Sequence, residues 1–224
     1  MRRGKPLGRK QGNRPEQRRF LIYCEGECTE TQYFKGLKAE LRALPVELCM
    51  GGVHGEPKSL VQAAIEHQAR APRSAKDRCT AYDEVWCVVD VEAPVPHPGL
   101  ADALRLARGG AVNVALSNPC FEIWILLHFK DITAYLTSGQ AQRLLENEPG
   151  CAGYSTARKH LDYESLRALH GVAQSRAQRL RSRAEAESEG NPRAVNPRTV
   201  NPWTDVDVLV EALRDARNGR AGKR

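Results

Sequence analysis

Between Phe20 and Leu116, short apolar runs alternate with amphipathic stretches, and that alternation leaves a narrow choice of folds. Phe20-Leu21-Ile22-Tyr23-Cys24 stops at Glu25-Gly26 and has the length and content of a buried strand. Thr29, with Gln32 three residues on, has the spacing of a capping box and opens an amphipathic helix through Leu44. Val46 to Met50 reads as a second strand, ended by Gly51-Gly52. Ser59 to Ala71 carries Leu60, Val61, Ala64 and Ile65 in a helical stripe closed by Pro72. Glu84 to Val89 is the most strand-like run and ends abruptly at Asp90. Leu100 to Arg108 predicts a helix, Gly109-Gly110 its stop, and Val112 to Leu116 a further strand. Strands separated by helices require crossover connections, so the chain is expected to form a mostly parallel α/β sheet flanked by helices.

The pattern changes after Ser117-Asn118-Pro119. Cys120 to Phe129 is apolar on every side, which predicts a buried helix. From Ser138 to Glu187 the chain reads as polar helices broken near Pro149-Gly150 and Gly171. Asn-Pro then recurs at Asn191, Asn196 and Asn201, and because the residue before proline is driven out of the α region, this reads as an extended or turn-rich linker. Thr204, with Asp207 three later, is expected to cap a last helix through Arg217. The resulting division is a mobile basic arm over 1–18, an α/β core over 19–130, a helical extension packed on it over 131–217 that includes the linker 191–203, and a basic tail over 218–224.

Composition narrows the partners. Lys and Arg number 34 against 27 Asp and Glu, a net charge of +7 that favours a polyanion, with nucleic acid the obvious candidate. No apolar stretch has the length of a membrane span, and no signal-peptide pattern follows the basic start, so a cytoplasmic location with no membrane partner is expected. The seven cysteines are scattered, several within apolar runs, and predict free thiols in place of disulfides or a zinc cluster.

Ligands of open parallel sheets gather at the carboxyl ends of strands. Glu25 follows the first strand; Asp90 and Glu92 follow the strand Val85 to Val89. In an extended segment residues two apart point the same way, so Asp90 and Glu92 are expected side by side. Such hard oxygen ligands suit Mg²⁺ or Mn²⁺, and without a cation they repel one another. Any one of these acids alone reads equally well as a turn residue or helix cap; two strand ends supplying oxygen together point to a metal. Lys58-Ser59 at a helix start has part of an anion-binding pattern, though not enough to support ATP binding. The basic cluster Arg158, Lys159 and His160, close to Tyr154, reads on spacing alone as a solvated helix face. His54, His97 and His128 have no mutual ligand spacing, and Phe121 and Trp124 read as core.

The segments Tyr23-Cys24-Glu25-Gly26-Glu27-Cys28-Thr29-Glu30 with Tyr33-Phe34, Val88-Val89-Asp90-Val91-Glu92 and Ser117-Asn118-Pro119-Cys120-Phe121-Glu122-Ile123-Trp124 together resemble the motif series of the RloB-like proteins. Those proteins are similar to the Toprim domains of topoisomerases, primases and OLD-type nucleases. The resemblance implies a Toprim-like, Rossmann-like core with a C-terminal helical extension. It further implies a metal-dependent nuclease acting on DNA or RNA, with Glu25, Asp90 and Glu92 catalytic and metal-binding. Glu122 is a further metal ligand in that reading, or else complements the dipole of a helix capped by Asn118. The resemblance implies a phosphate-facing role for Tyr154, Arg158, Lys159 and His160, while Lys58, from its place at a helix start, is expected to contact nucleic acid; a companion ATPase and a role in halting phage infection are also implied. This chain has Glu92 where Asp is usual, which moves the second ligand outward. Two other readings stay open: a Toprim-like binding module without catalysis, and a HAD-like small-molecule phosphatase with Asp90 as nucleophile.

Overall fold

The computed structural model describes residues 18–42, 44–50, 56–188 and 195–219. The arm before residue 18, residues 51–55 with His54, Asn191 and the tail from 220 lie outside the described residues. Five strands form one sheet in the order β2-β1-β3-β4-β5: β1 (Phe20–Cys24), β2 (Val46–Met50), β3 (Glu84–Asp90), β4 (Asn113–Asn118) and β5 (Trp203–Thr204). The first four run parallel and β5 pairs antiparallel with the end of β4. The chain is therefore an α/β protein with a mostly parallel, Rossmann-like sheet, as the alternation predicts.

Strand order dictates which face each helix covers. From β1 the chain moves one way to β2 through α1 (Thr29–Leu41), then crosses back over β1 to β3 through α2 (Pro57–Arg70) and on to β4 through α3 (Leu100–Gly109). Crossovers of one hand that travel in opposite directions fall on opposite faces. The core divides accordingly. Leu21, Tyr23, Val85, Cys87 and Val89 pack with α2 and α3, whereas Phe20, Ile22, Cys24, Trp86 and Val88 pack with α1 and α4 (Glu122–Phe129). That second face is also covered by residues of α5 (Ser138–Glu146), α6 (Glu164–Arg167), α7 (His170–Glu187) and α8 (Val206–Arg217). All seven cysteines are free thiols. Among the described residues no helix is long and apolar enough to cross a membrane.

Several local expectations are corrected. Thr29 and Gln32 form no capping box: Cys28 is the N-cap residue of α1, without a side-chain cap, and both side chains make distant contacts instead. The helix ends at Leu41 rather than Leu44. Thr204 lies in β5, where its hydroxyl accepts from the Val206 amide at 3.2 Å. Asp207 is drawn away from the cap by Arg181, whose Nη1 and Nη2 reach its two oxygens at 2.6 and 2.5 Å. Asn118 does not cap α4; its amide donates to the carbonyls of Pro197, Arg198 and Val200 at 3.3, 3.3 and 2.9 Å. The described part of the Asn-Pro stretch is thus a set of turns bound to the sheet, ending in a strand.

Candidate active site

The order β2-β1-β3 places β1 at the point where the chain's direction across the sheet reverses, and in open sheets of this kind ligands bind at the carboxyl ends of the strands beside such a point. The ladder runs one residue past β1, since the Glu25 amide donates to the Val88 carbonyl at 3.2 Å. Glu25 then turns toward β3, where its Oε2 accepts from the Asp90 amide at 3.0 Å. The two acids named from separate strands meet.

Strand periodicity decides what Asp90 faces. Trp86 and Val88 point to the α1 and α4 side, so Asp90, two further on, takes that side too. The first turns of those helices carry Glu30 and Glu122, both buried. Glu122 Oε1 accepts from the Tyr154 hydroxyl at 2.8 Å and from Thr29 Oγ1 at 3.4 Å. Glu30 folds back over Gly26, where a Cβ would lie 2.1 Å from its Oε2, so only glycine leaves room for that carboxylate. Glu30 escaped sequence analysis because an acid in a helix's first turn reads as a partner of the dipole; the neighbouring Gly26 was the available signal.

The carboxylates tax one another. Burial pushes the Glu25 carboxyl up to about 7, against the pull of the Asp90 amide, with Glu30 and Glu92 adding to the rise. Burial and then Glu122 push Glu30 up to about 7. Asp90 is raised well above the usual carboxylate range by burial and by Glu30, Glu122 and Glu25, and its Oδ1 is sealed from solvent with no hydrogen-bond partner. The opposing influence on Asp90 is Lys159, which also acts on Glu30 beside the backbone hydrogen bonds that lower it. It sits in a turn, not on a helix face, with φ of 46°. Gln32 holds that turn, donating to the Lys159 carbonyl at 3.1 Å and accepting from the Leu161 amide at 2.9 Å.

The other expected residues fall outside this group. Glu92 lies past the strand at φ of 66°, with its side chain exposed and its amide bonded to the Pro119 carbonyl at 2.8 Å. The alternation that would have set it beside Asp90 stops at the strand's end. Arg158 and His160 are exposed on the Lys159 turn, and Lys58 is exposed in the first turn of α2, with no hydrogen bond or ion pair to the carboxylates.

In its donor chemistry the group fits a divalent cation: hard oxygens, an orphaned carboxylate atom, and carboxyls whose burial favours the protonated form. Among the described residues no group of three or more His, Cys, Asp or Glu side chains is placed to hold a metal ion, so an ion here would draw on at most two of these carboxylates, with water and substrate phosphate completing its shell.

A parallel α/β sheet with carboxylates gathered at its switch point defines a Rossmann-like protein with a candidate acidic centre. The family model for RloB-like proteins matches residues 20–213, and the chain belongs to that family. No curated protein and no solved structure matches it.

Proposed function

We propose that the protein is a Toprim-type, metal-dependent nuclease that hydrolyses phosphodiester bonds of DNA or RNA, serving phage defence beside a companion ATPase. The observation that carries this reading is the meeting of Glu25 and Asp90 at the switch point, with Asp90 Oδ1 buried and unpartnered. Asp90 and Glu25 would hold the Mg²⁺ or Mn²⁺, with Glu122 and Glu30 behind them. When bound, the ion supplies Lewis acidity to the phosphate and lowers the pKa of a water. Glu25 is oriented by the Asp90 amide through one oxygen, which leaves Oε1 to accept a proton from the attacking water. Lys159, fixed by Gln32, offers a cation to the phosphate oxygens.

Purified protein incubated with DNA, total tRNA and each metal tests this. Glu25→Ala and Asp90→Asn should each lower cleavage by about 100-fold or more. Equal cleavage by the variants and the parent would overturn it. A second reading, a binding module without catalysis, draws on the exposed, left-handed placement of Glu92 and predicts nucleic-acid binding with no metal-dependent cleavage.

A further inference from the structure

Of the Phe, Trp and Tyr side chains, all of which fall among the described residues, Tyr135 alone stands exposed, at 57%. Phe129 is half-buried and the other rings are buried, and the backbone beside Tyr135 is not free to fold its ring away. The adjoining Leu136 is clamped on both sides by one amide group: its N–H donates to Asn201 Oδ1 at 3.1 Å, and its carbonyl accepts from Asn201 Nδ2 at 2.8 Å. Thr137 then caps α5 in a full capping box with Gln140. The ring is therefore presented on a braced segment.

That segment is bonded to the loop that leaves Asp90. Ser138 donates its amide to the Ala93 carbonyl at 3.1 Å, and its hydroxyl accepts from the Ala93 amide at 3.3 Å. Ala93 adjoins Glu92, three residues past Asp90, on a loop whose Val95 is itself 74% exposed. Tyr135 is three residues from Ser138, a reach of about 10 Å at full extension. A strand whose phosphate lies at Asp90 can thus lay a base, within a few nucleotides, on the ring.

We propose that Tyr135 is a stacking platform for an unpaired nucleobase, so that the site selects single-stranded or looped nucleic acid over continuous duplex. The inference rests on the nuclease reading for the phosphate's position. Stacking is open to every base because each has a π face, but a base inside a duplex is already stacked on its neighbours. A base is favoured over a protein partner because the braced segment is bonded to the loop that leaves Asp90.

Fluorescence anisotropy with two single-stranded oligonucleotides of equal length, one carrying bases and one abasic, tests the idea in EDTA, where cleavage is silent. The parent protein should prefer the base-bearing strand. Tyr135→Ala should weaken that binding by about 5- to 150-fold and leave the abasic strand unaffected, while Tyr135→Phe keeps the preference. Equal binding of both strands by the parent, or a preference that survives in Tyr135→Ala, overturns the proposal, including the case in which the ring serves a protein partner. Hydrolysis of bis(p-nitrophenyl) phosphate, a diester without a nucleobase, is followed separately with metal present. Its absence beside an intact base preference would sink the nuclease reading and leave the platform standing.

Discussion

Asp90 shows how one residue sets the character of the centre. Its side chain is turned by strand periodicity toward two helix starts that each carry a buried glutamate, and its Oδ1 finds no donor. A buried acceptor without a partner is destabilising in the free protein, and so is like charge at short range. Glu30 contributes the second cost without being tied to Asp90 by any hydrogen bond. Replacing it by glutamine keeps the shape and removes the charge. Glu30→Gln should therefore raise metal-free stability at pH 8 by about 2 kcal/mol, roughly 4–8 °C in Tm, while weakening the response to Mg²⁺. Thermal melts with and without the metal read both, and an unchanged or lowered metal-free Tm would count against the charge argument.

At the scale of elements, the strands and most helices were legible because burial writes itself into apolar periodicity: Phe20–Cys24 and Glu84–Asp90 are apolar because they lie in the sheet's interior. What was not legible is where polar side chains go once the elements meet. Thr29, Gln32 and Asp207 have the spacing of local caps, yet each is taken by a partner far along the chain: Glu122, the Lys159 turn and Arg181. Of the site, Glu25 and Asp90 could be named from their strand ends, and Glu122 from the resemblance. Glu30 reads as a partner of the helix dipole, with only Gly26 to hint otherwise, and the expectation of Glu92 beside Asp90 extends strand geometry into a left-handed residue. Gln32 is the more telling case, because a misread cap proves to be the bracket for the Lys159 turn. Gln32→Ala should cost about 2 kcal/mol of stability, since it removes two hydrogen bonds each worth about 1 kcal/mol net, but should raise KM for nucleic acid more than it lowers kcat. A kinetic comparison on one oligonucleotide decides; an unchanged KM would detach the turn from substrate binding.

Across the whole molecule, a chain of net charge +7 surrounds an acidic centre, and the balance between them depends on pH. Burial pushes the carboxyls of Glu25 and Glu30 up to about 7 in the fold from an ordinary 4.5, so the folded state keeps protons that the unfolded chain has released. Their contribution to stability is full below about pH 4.5 and is lost as pH rises through about 7. His128 and His170 behave oppositely. Burial pushes them down to about 4 and about 3 from 6.5, so the unfolded chain takes up protons that the fold refuses. Their contribution is full above about pH 6.5 and is lost as pH falls toward about 4 and 3. Metal-free protein should be most stable between about pH 4.5 and 6.5 and weaken both above and below that window. Urea melts across pH check this, and stability that climbs steadily from about pH 6 to about pH 8 would contradict it.

The account turns on one spatial claim, that the acids closing β1 and β3 act as a single cation-holding centre. The most direct measurement is the Mg²⁺-induced rise in Tm at pH 8, for the parent protein and for Asp90→Asn. At a hundredfold excess over Kd the parent should gain about 3 kcal/mol, roughly 5–10 °C, and the variant should gain little or nothing. An equal shift in both, or none in the parent, would show that the carboxylates at the switch point do not hold the ion.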